Sequence, residues 1–366
     1  MEQRILGRTR REVSVVGLGT WQLGADWGNI NELDALDVLD AAVDQGVTFF
    51  DTADVYGDGR SEQRIAAWRR SNPSWDGTVA TKMIRRAPEP SLRYASIENF
   101  RDWTDRSRRN LGVDTLDLVQ LHCPTDDVFA SDSVFDDLDT LVEEGAIAAY
   151  GVSVETCAQA LSAIARPNVA TVQIVFNAFR QKPLEHVLPA ARQAGVGIIA
   201  RVPLASGLLS GRFTNKTTFA DDDHRSFNRT GAAFDVGETF AGVDFETGVE
   251  AAAEFAAVAR EHDIEPSQAA LAWVIQQQGV SSVIPGARNE QQARENADSA
   301  EVGELPKALM NAITGLYDEK IRPQVHGNAR RVVDHDAAGR ARGEALEVGD
   351  DQAVIDLGYE WRQHHR

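Results

Sequence analysis

A closed parallel (β/α)8 barrel is the fold class the sequence predicts. Eight short β-rich runs recur along the chain, most of them continuous apolar stretches rather than in/out alternations. That is the pattern of parallel strands covered on both faces. Longer segments with apolar residues at helical spacing lie between them, and the connecting turns are short. An open doubly wound sheet shares this alternation, but the count of eight favours the barrel.

Taken in order, Arg4–Val13, interrupted by the turn-forming Gly7-Arg8-Thr9, reads as a small hairpin ahead of the barrel. The first barrel strand is expected over Ser14–Leu18, followed by a helix over Glu32–Gln45. Strand Thr48–Asp51 leads to helix Ser61–Arg70, and strand Thr78–Lys82 to helix Ile97–Leu111. Strand Leu118–His122 leads to helix Val134–Glu144. Strands Ala149–Val152 and Thr171–Phe176 come next, then helix Pro183–Ala194 and strand Gly197–Ala200. Ser267–Gln278 carries Ala270, Leu271, Val274 and Ile275 at helical spacing and precedes the last strand, Ser281–Ile284.

The barrel is expected over residues 1–322 and a partly helical extension of unassigned role over 323–366. After Pro323 the chain is charged and apolar-poor, ending in Tyr359, Trp361, His364 and His365. Residues 212–248 break the rhythm. They are polar and Gly/Asp-rich yet carry Phe213, Phe219, Phe227, Phe234, Phe240 and Phe245. Such a length is uncommon for a passive connection, and the segment reads either as a decoration packed on the barrel or as a lid over the substrate.

Hydrophobic residues at 43% and charged residues at 25% exclude wholesale disorder. Two cysteines, Cys123 and Cys157, cannot build a disulfide framework, which fits a reducing interior. The opening MEQRILGRTRREV lacks an apolar h-region, and no uncharged apolar run is long enough to span a bilayer. A soluble cytoplasmic protein is expected. Lys+Arg number 37 against 56 Asp+Glu, a net charge of -19. A field of that sign repels phosphate backbones and anionic headgroups, so nucleic acid and membrane are poor partners. Five lysines among so many arginines suit either a salt-rich cytoplasm or a GC-rich genome, and both readings stay open.

In a parallel barrel the reactive groups belong at the strand C-terminal ends and the loops after them. Asp51 ends one predicted strand with Tyr56 in the loop beyond, Lys82 ends the next, and His122 the one after. Four ionisable residues therefore converge from three consecutive strands. They suit proton donation to a carbonyl oxygen. A phenol, with an ordinary pKa of about 10, is a weak acid at neutral pH, and a nearby ammonium favours its phenolate. Asp51 supplies the counter-charge a buried Lys82 needs, and a neutral His122 can hydrogen-bond the carbonyl oxygen. No strong nucleophile with a dedicated base is evident, nor a His/Cys/carboxylate cluster for a metal.

The runs GLGTW, FFDTADVYGDGRSE, ATKM, LVQLHCP, YGVS, VQIVFN, VPLASGLLSG and VIPGARN..QARENA stand in this order. Together they resemble the aldo-keto reductase superfamily over roughly residues 3 to 323. The resemblance implies a TIM barrel that transfers hydride between NADP(H), with NAD(H) less favoured, and an aldehyde or ketone or the corresponding alcohol. It carries the family's catalytic tetrad onto Asp51, Tyr56, Lys82 and His122, with Tyr56 as general acid. It also implies that Ser153 and Gln173 hold the nicotinamide carboxamide. Pro203, Leu204, Ser206, Gly207, Leu209 and Gly211 are expected along the pyrophosphate, Gly286, Arg288, Gln292, Glu295 and Asn296 around the adenosine end, and Gly19, Thr20 and Trp21 near cofactor or substrate. A doubly charged 2′-phosphate on so anionic a protein needs a local cation, and Arg288 offers a planar fork.

Two positions depart from the family pattern. Val154 stands where an asparagine commonly follows Ser153, and Arg201 where an aromatic commonly stacks on the nicotinamide. A guanidinium facing an oxidised, positively charged nicotinamide is unfavourable, so Arg201 is expected to disfavour NADP⁺ or to bind a substrate carboxylate instead. Arg201→Tyr should then hold NADP⁺ more tightly. Gly17, Gly19 and Gly24, with Asp40 beyond, mimic a dinucleotide fingerprint. A genuine one needs a helix opening at the glycines, and here an irregular loop through Gly24, Asp26, Gly28 and Asn29 is expected before the helix near Glu32. The alternative function is a catalytically weak, cofactor-binding regulatory subunit on the same barrel.

Overall fold

The computed structural model describes residues 1–24, 30–221 and 223–326, together with the backbone of two short paired strands, Asp334–His335 and Ala341–Arg342. Eight parallel strands run in chain order: β1 (Leu18–Gly19), β2 (Phe49–Asp51), β3 (Thr78–Met83), β4 (Leu118–His122), β5 (Tyr150–Ser153), β6 (Thr171–Val175), β7 (Gly197–Arg201) and β8 (Val280–Val283). Parallel bridges Val16–Val283 and Gly19–Gly286 join the last strand to the first, with Gly17 N donating to Val283 O at 2.8 Å. The sheet is closed. Gly19 sits at that seam, where a Cβ would come within 2.9 Å of the Ile284 carbonyl.

Around the sheet pack α1 (Glu32–Asp44), α2 (Arg60–Ser71), α3 (Ile97–Leu111), α4 (Asp132–Glu143), α5 (Cys157–Ala165), α6 (Val187–Ala194), α7 (Phe245–Glu261), α8 (Pro266–Ile275), α9 (Glu290–Asp298) and α10 (Lys307–Leu316). Their starts are written locally. Asn31, Ser96, Asp244 and Asn289 each accept a hydrogen bond from a backbone N–H of the first turn, and Thr156 with Gln159 forms a full capping box.

The hairpin pairs Gln3–Ile5 with Glu12–Ser14 and seals the N-terminal end of the barrel. Leu6 and Val13 are fully buried there with Phe49, Ala80, Leu118 and Ile199. Arg8 donates to the carbonyls of Arg166, Val169 and Ala194, which holds the hairpin in place. With that end plugged, the open end of the barrel is the one where the strands terminate.

Several elements differ from expectation. Ser14 belongs to the hairpin, paired with Gln3, so β1 is shorter and later than the predicted Ser14–Leu18. The predicted helix Pro183–Ala194 is a short 3-10 turn, Lys182–Leu184, followed by α6. Gly24 closes a single helical turn, Trp21–Gly24, rather than continuing an irregular loop, while Asp26, Gly28 and Asn29 lie outside the described residues. Helix α7 begins at Phe245, within the segment read as irregular. The rest of that segment is packed: Phe219 has its ring within 5.3–5.9 Å of Phe213, Phe240 and Phe245, whereas Phe227 is exposed. Of the expected extension, a helical turn Arg322–Val325 buries Val325 against the core, and Tyr359, Trp361, His364 and His365 lie outside the described residues. No helix among the described residues is long and apolar enough to cross a membrane.

Candidate active site

Strand periodicity builds the site. Side chains two apart share a face, so above the apolar layer of Phe49, Ala80 and Leu118 stand Asp51, Lys82 and Gln120. These polar groups meet across the barrel interior. Lys82 Nζ donates to Asp51 Oδ1 at 2.5 Å and to the Thr52 carbonyl at 2.8 Å. Gln120 and Gln173 donate to the other Asp51 oxygen at 3.2 and 2.7 Å. One face of Asp51 thus anchors Lys82 and the other two amides.

Tyr56 arrives on the loop after β2. Gly57 (φ +60°) makes this possible, because a Cβ there would lie 2.0 Å from the Gly24 carbonyl oxygen. The contact seats the Tyr56 ring against Trp21 (6.1 Å, interplanar 23°) and edge-on to His122 (5.9 Å). The Tyr56 hydroxyl is 3.5 Å from Lys82 Nζ. All four predicted catalytic residues are therefore gathered at one rim. Just beyond the last inward residues, Ile84, Cys123 and Val202 hold left-handed backbone angles of φ 83°, 51° and 54°. Side-chain-bearing residues rarely adopt these, and such strain concentrates at functional rims.

The electrostatics follow from burial and neighbours. Burial pulls the Lys82 pKa down most strongly, but the charges of Asp51 and Tyr56 and the hydrogen bonds to both together hold the ammonium above its ordinary value. Desolvation pushes the Tyr56 phenol up, with Lys82 pulling against it, so the hydroxyl keeps its proton at neutral pH. Burial, then the positive charges of Arg85, Lys82 and Arg201, push His122 well below its ordinary range, leaving a neutral imidazole. Its Nδ1 is buried without a partner.

A cleft of about 380 Å³ opens beside Tyr56 and runs along the rim. Of the residues predicted to meet cofactor or substrate, Gly19, Thr20, Trp21, Asp51, Gln173, Arg201, Pro203, Leu204, Ser206, Gly207, Gly286, Arg288, Gln292, Glu295 and Asn296 line it. Ser153, Leu209 and Gly211 do not. Ser153 is buried with its hydroxyl 3.6 Å from Cys123 Sγ, Leu209 is fully buried in the core, and Gly211 packs towards Ala256 and Pro266. Sequence reasoning passed over Gln22, Arg212, His224, Arg225, Glu238 and Ser267, which also line the cleft. Arg212 and Arg225 carried a usable signal, as cations in an acidic segment; Glu238 carried none.

Two charged groupings stand at opposite ends. Near Tyr56, Arg201 is buried and far from bare: it pairs with Glu238 at 3.4 Å and donates to the Val154 carbonyl at 3.0 Å. Arg85, on the loop after β3, meets the same Glu238 oxygen at 3.3 Å. At the other end Arg212, Arg225 and Arg288 line the rim, where partial desolvation and then Arg225 hold Arg288 below its ordinary pKa. Helix α9 starts beside them, capped by Asn289, with Asn296 donating to the Gly286 carbonyl. His224, which burial pushes down to about 4, lies 5.3 Å from the Trp21 ring and Phe234 lies 6.0 Å from it, so residues 212–248 border the mouth.

A buried ammonium beside a protonated phenol and a neutral imidazole, at the head of a cleft with cations at its far end, is equipped for acid catalysis on a carbonyl. The model of the aldo/keto reductase family matches residues 15–318. The chain belongs to the aldo/keto reductase family. This aldo/keto reductase is 32% identical over 310 residues to an uncharacterized oxidoreductase of Mycobacterium tuberculosis, covering 83% of this chain and 89% of the relative. It is 27% identical to a probable voltage-gated potassium channel subunit beta of Arabidopsis thaliana, over 90% of this chain and 98% of that one. The solved glycerol dehydrogenase of Gluconobacter oxydans superposes with a TM-score of 0.71 at 27% identity, covering 87% of this chain and 96% of the other.

Proposed function

We propose that this aldo/keto reductase is an NADP(H)-dependent carbonyl reductase or alcohol dehydrogenase with Tyr56 as its general acid and base. The observation that carries the reading is Lys82 Nζ held between Asp51, at 2.5 Å, and the Tyr56 hydroxyl, at 3.5 Å, in a buried layer beneath an open cleft. A structural lysine has no need of a phenol at the mouth of a cleft.

The cleft residues suit a dinucleotide. Arg212, Arg225 and Arg288 offer guanidinium groups to phosphates on a protein of net charge -19. Arg288 is assigned to the 2′-phosphate, which favours NADP(H) over NAD(H). Gln173 and Arg201, beside Tyr56, would hold the nicotinamide end. When bound, the cofactor supplies or accepts hydride. The residues of the chain then do the rest. Tyr56 gives its proton to the carbonyl oxygen as the carbon–hydrogen bond forms, and Lys82 steadies the resulting phenolate. Asp51 keeps Lys82 charged, and neutral His122 orients the oxygen without competing as an acid. In the alcohol-oxidising direction Tyr56 takes the proton back. The substrate is a small carbonyl compound or alcohol.

A turnover assay with a reactive aldehyde and NADPH tests this, comparing wild type with Tyr56→Phe. Hydride transfer in the wild type, lost in the variant while NADPH still binds, is expected. NADPH binding with no turnover above the variant would support a regulatory, cofactor-sensing subunit instead, a reading to which the Arabidopsis channel relative lends weight.

A further inference from the structure

Glu238 belongs to no motif and comes from the segment between β7 and α7, yet its side chain is only 11% exposed and sits between two arginines of the barrel rim. Burial opposes its charge, but Arg201 and then Arg85 hold its carboxyl below the ordinary range, so it is an anion. Its position is fixed on both sides. The Ser206 hydroxyl donates to the Glu238 carbonyl at 3.0 Å and accepts from Phe240 N at 3.1 Å, tying the segment to the loop after β7. Arg85 lies within 3.9 Å of a second carboxylate, Glu155. Arg201 Nε is buried with no hydrogen-bond partner, while its two terminal nitrogens meet Glu238, the Val154 carbonyl and, at 3.7 Å, Cys123 Sγ.

Resting on the NADP(H) reading, we propose that Glu238 sets the balance between oxidised and reduced cofactor by neutralising Arg201 and Arg85 beside the reacting ring. The oxidised nicotinamide carries a positive charge and the reduced ring none. Hydride transfer to a carbonyl held by Tyr56 requires the ring to lie next to Tyr56; Glu238 and Arg85 lie within charge–charge range of Tyr56, and Arg85 and Arg201 within that of His122. With Arg85 left to Glu155 and Arg201 unanswered, loss of the Glu238 charge would leave a net positive charge that selects against NADP⁺; the shared carboxylate removes it. A unit charge about 10 Å away at an effective dielectric near 20 changes affinity on the order of tenfold. Glu238 acts through the field it sets and not by touching the reacting atoms, so it is a positioning residue.

The experiment is titration of NADP⁺ and NADPH separately, at fixed ionic strength, into wild type, Glu238→Gln, Arg201→Gln and Arg85→Gln, followed by quenching of tryptophan fluorescence, with Trp21 lining the cleft. The readout is the ratio of the dissociation constants, Kd(NADP⁺)/Kd(NADPH). It should rise about tenfold in Glu238→Gln and fall by a similar factor in Arg201→Gln and Arg85→Gln. A merely structural role would weaken both nucleotides together and leave the ratio unmoved, and that result overturns the proposal, as does a ratio moving the same way in all three variants. A wild type that binds neither nucleotide removes the cofactor reading itself, an outcome distinct from binding with an unmoved ratio.

Discussion

Lys82 is the residue with the largest stake in the site, because it is a fully buried cation whose compensation comes from a single carboxylate. Removing one member of such a pair leaves the other charge stranded. Lys82→Met should therefore lower kcat by about 10²–10⁴-fold, as should Tyr56→Phe, while stopped-flow or fluorescence titration finds NADPH affinity within a few-fold of wild type for Tyr56→Phe. Arg288→Ala should weaken NADPH about tenfold or more and leave NADH nearly unchanged, since only the former carries the 2′-phosphate; equal losses for both would place the 2′-phosphate elsewhere. The effect expected of Arg201→Tyr keeps its direction but changes its cause. The guanidinium is already shared with Glu238, so its removal leaves Glu238 with Arg85 alone and raises NADP⁺ affinity through a surplus carboxylate.

At the scale of an element, the loop from Asp51 to Gly59 carries a second buried carboxylate. Neither Asp54 oxygen has a side-chain hydrogen-bond partner, and burial, then Glu62, raises its pKa from 3.8 to about 7 against the weaker pull of Arg86, Arg106 and the Val55 backbone N–H. The folded state thus binds a proton that the unfolded state releases near pH 4. Stability falls as pH rises from about 4 to 7, and the loss, on the order of 4 kcal/mol, is complete above that. Asp54→Asn should flatten the dependence and unfold at higher temperature than wild type at pH 8; thermal melts of both proteins from pH 5 to 8 check it. The hairpin makes a separate prediction. Leu6 is fully buried at the sealed end of the barrel, so Leu6→Ala should cost about 2–5 kcal/mol in denaturant unfolding. Its KM values should stay unchanged, because the hairpin is at the opposite end from the cleft.

For the whole molecule, the net charge of -19 repels itself, and screening that repulsion favours the compact state. The melting temperature should rise between 0.1 and 2 M KCl. A flat or falling curve would favour a genomic bias towards arginine over adaptation to salt. The eight strands, the hairpin and the rim position of Asp51, Tyr56, Lys82 and His122 were legible because each is a local statement. Continuous apolar runs mark covered parallel strands, a period of two sets the inward face, and strand ends mark the open mouth. Helix α7 was obscured because its first turn is embedded in a Gly/Asp-rich stretch, with Asp244 as its one local signal. That Ser153, Leu209 and Gly211 do not line the cleft was not legible, because a motif gives neighbours in sequence and not which of them face it.

The amino-acid sequence by itself determined the barrel, its open end and the four ionisable groups gathered there, since periodicity and strand order depend on near neighbours. Only the tertiary structure decided that Gln173 and Gln120 are bound to Asp51, that Arg201 shares its charge with Glu238, and that Arg225 stands beside Arg288. Polar and charged contacts of that kind join residues tens to more than a hundred positions apart, and closing the chain on itself is what brings them together.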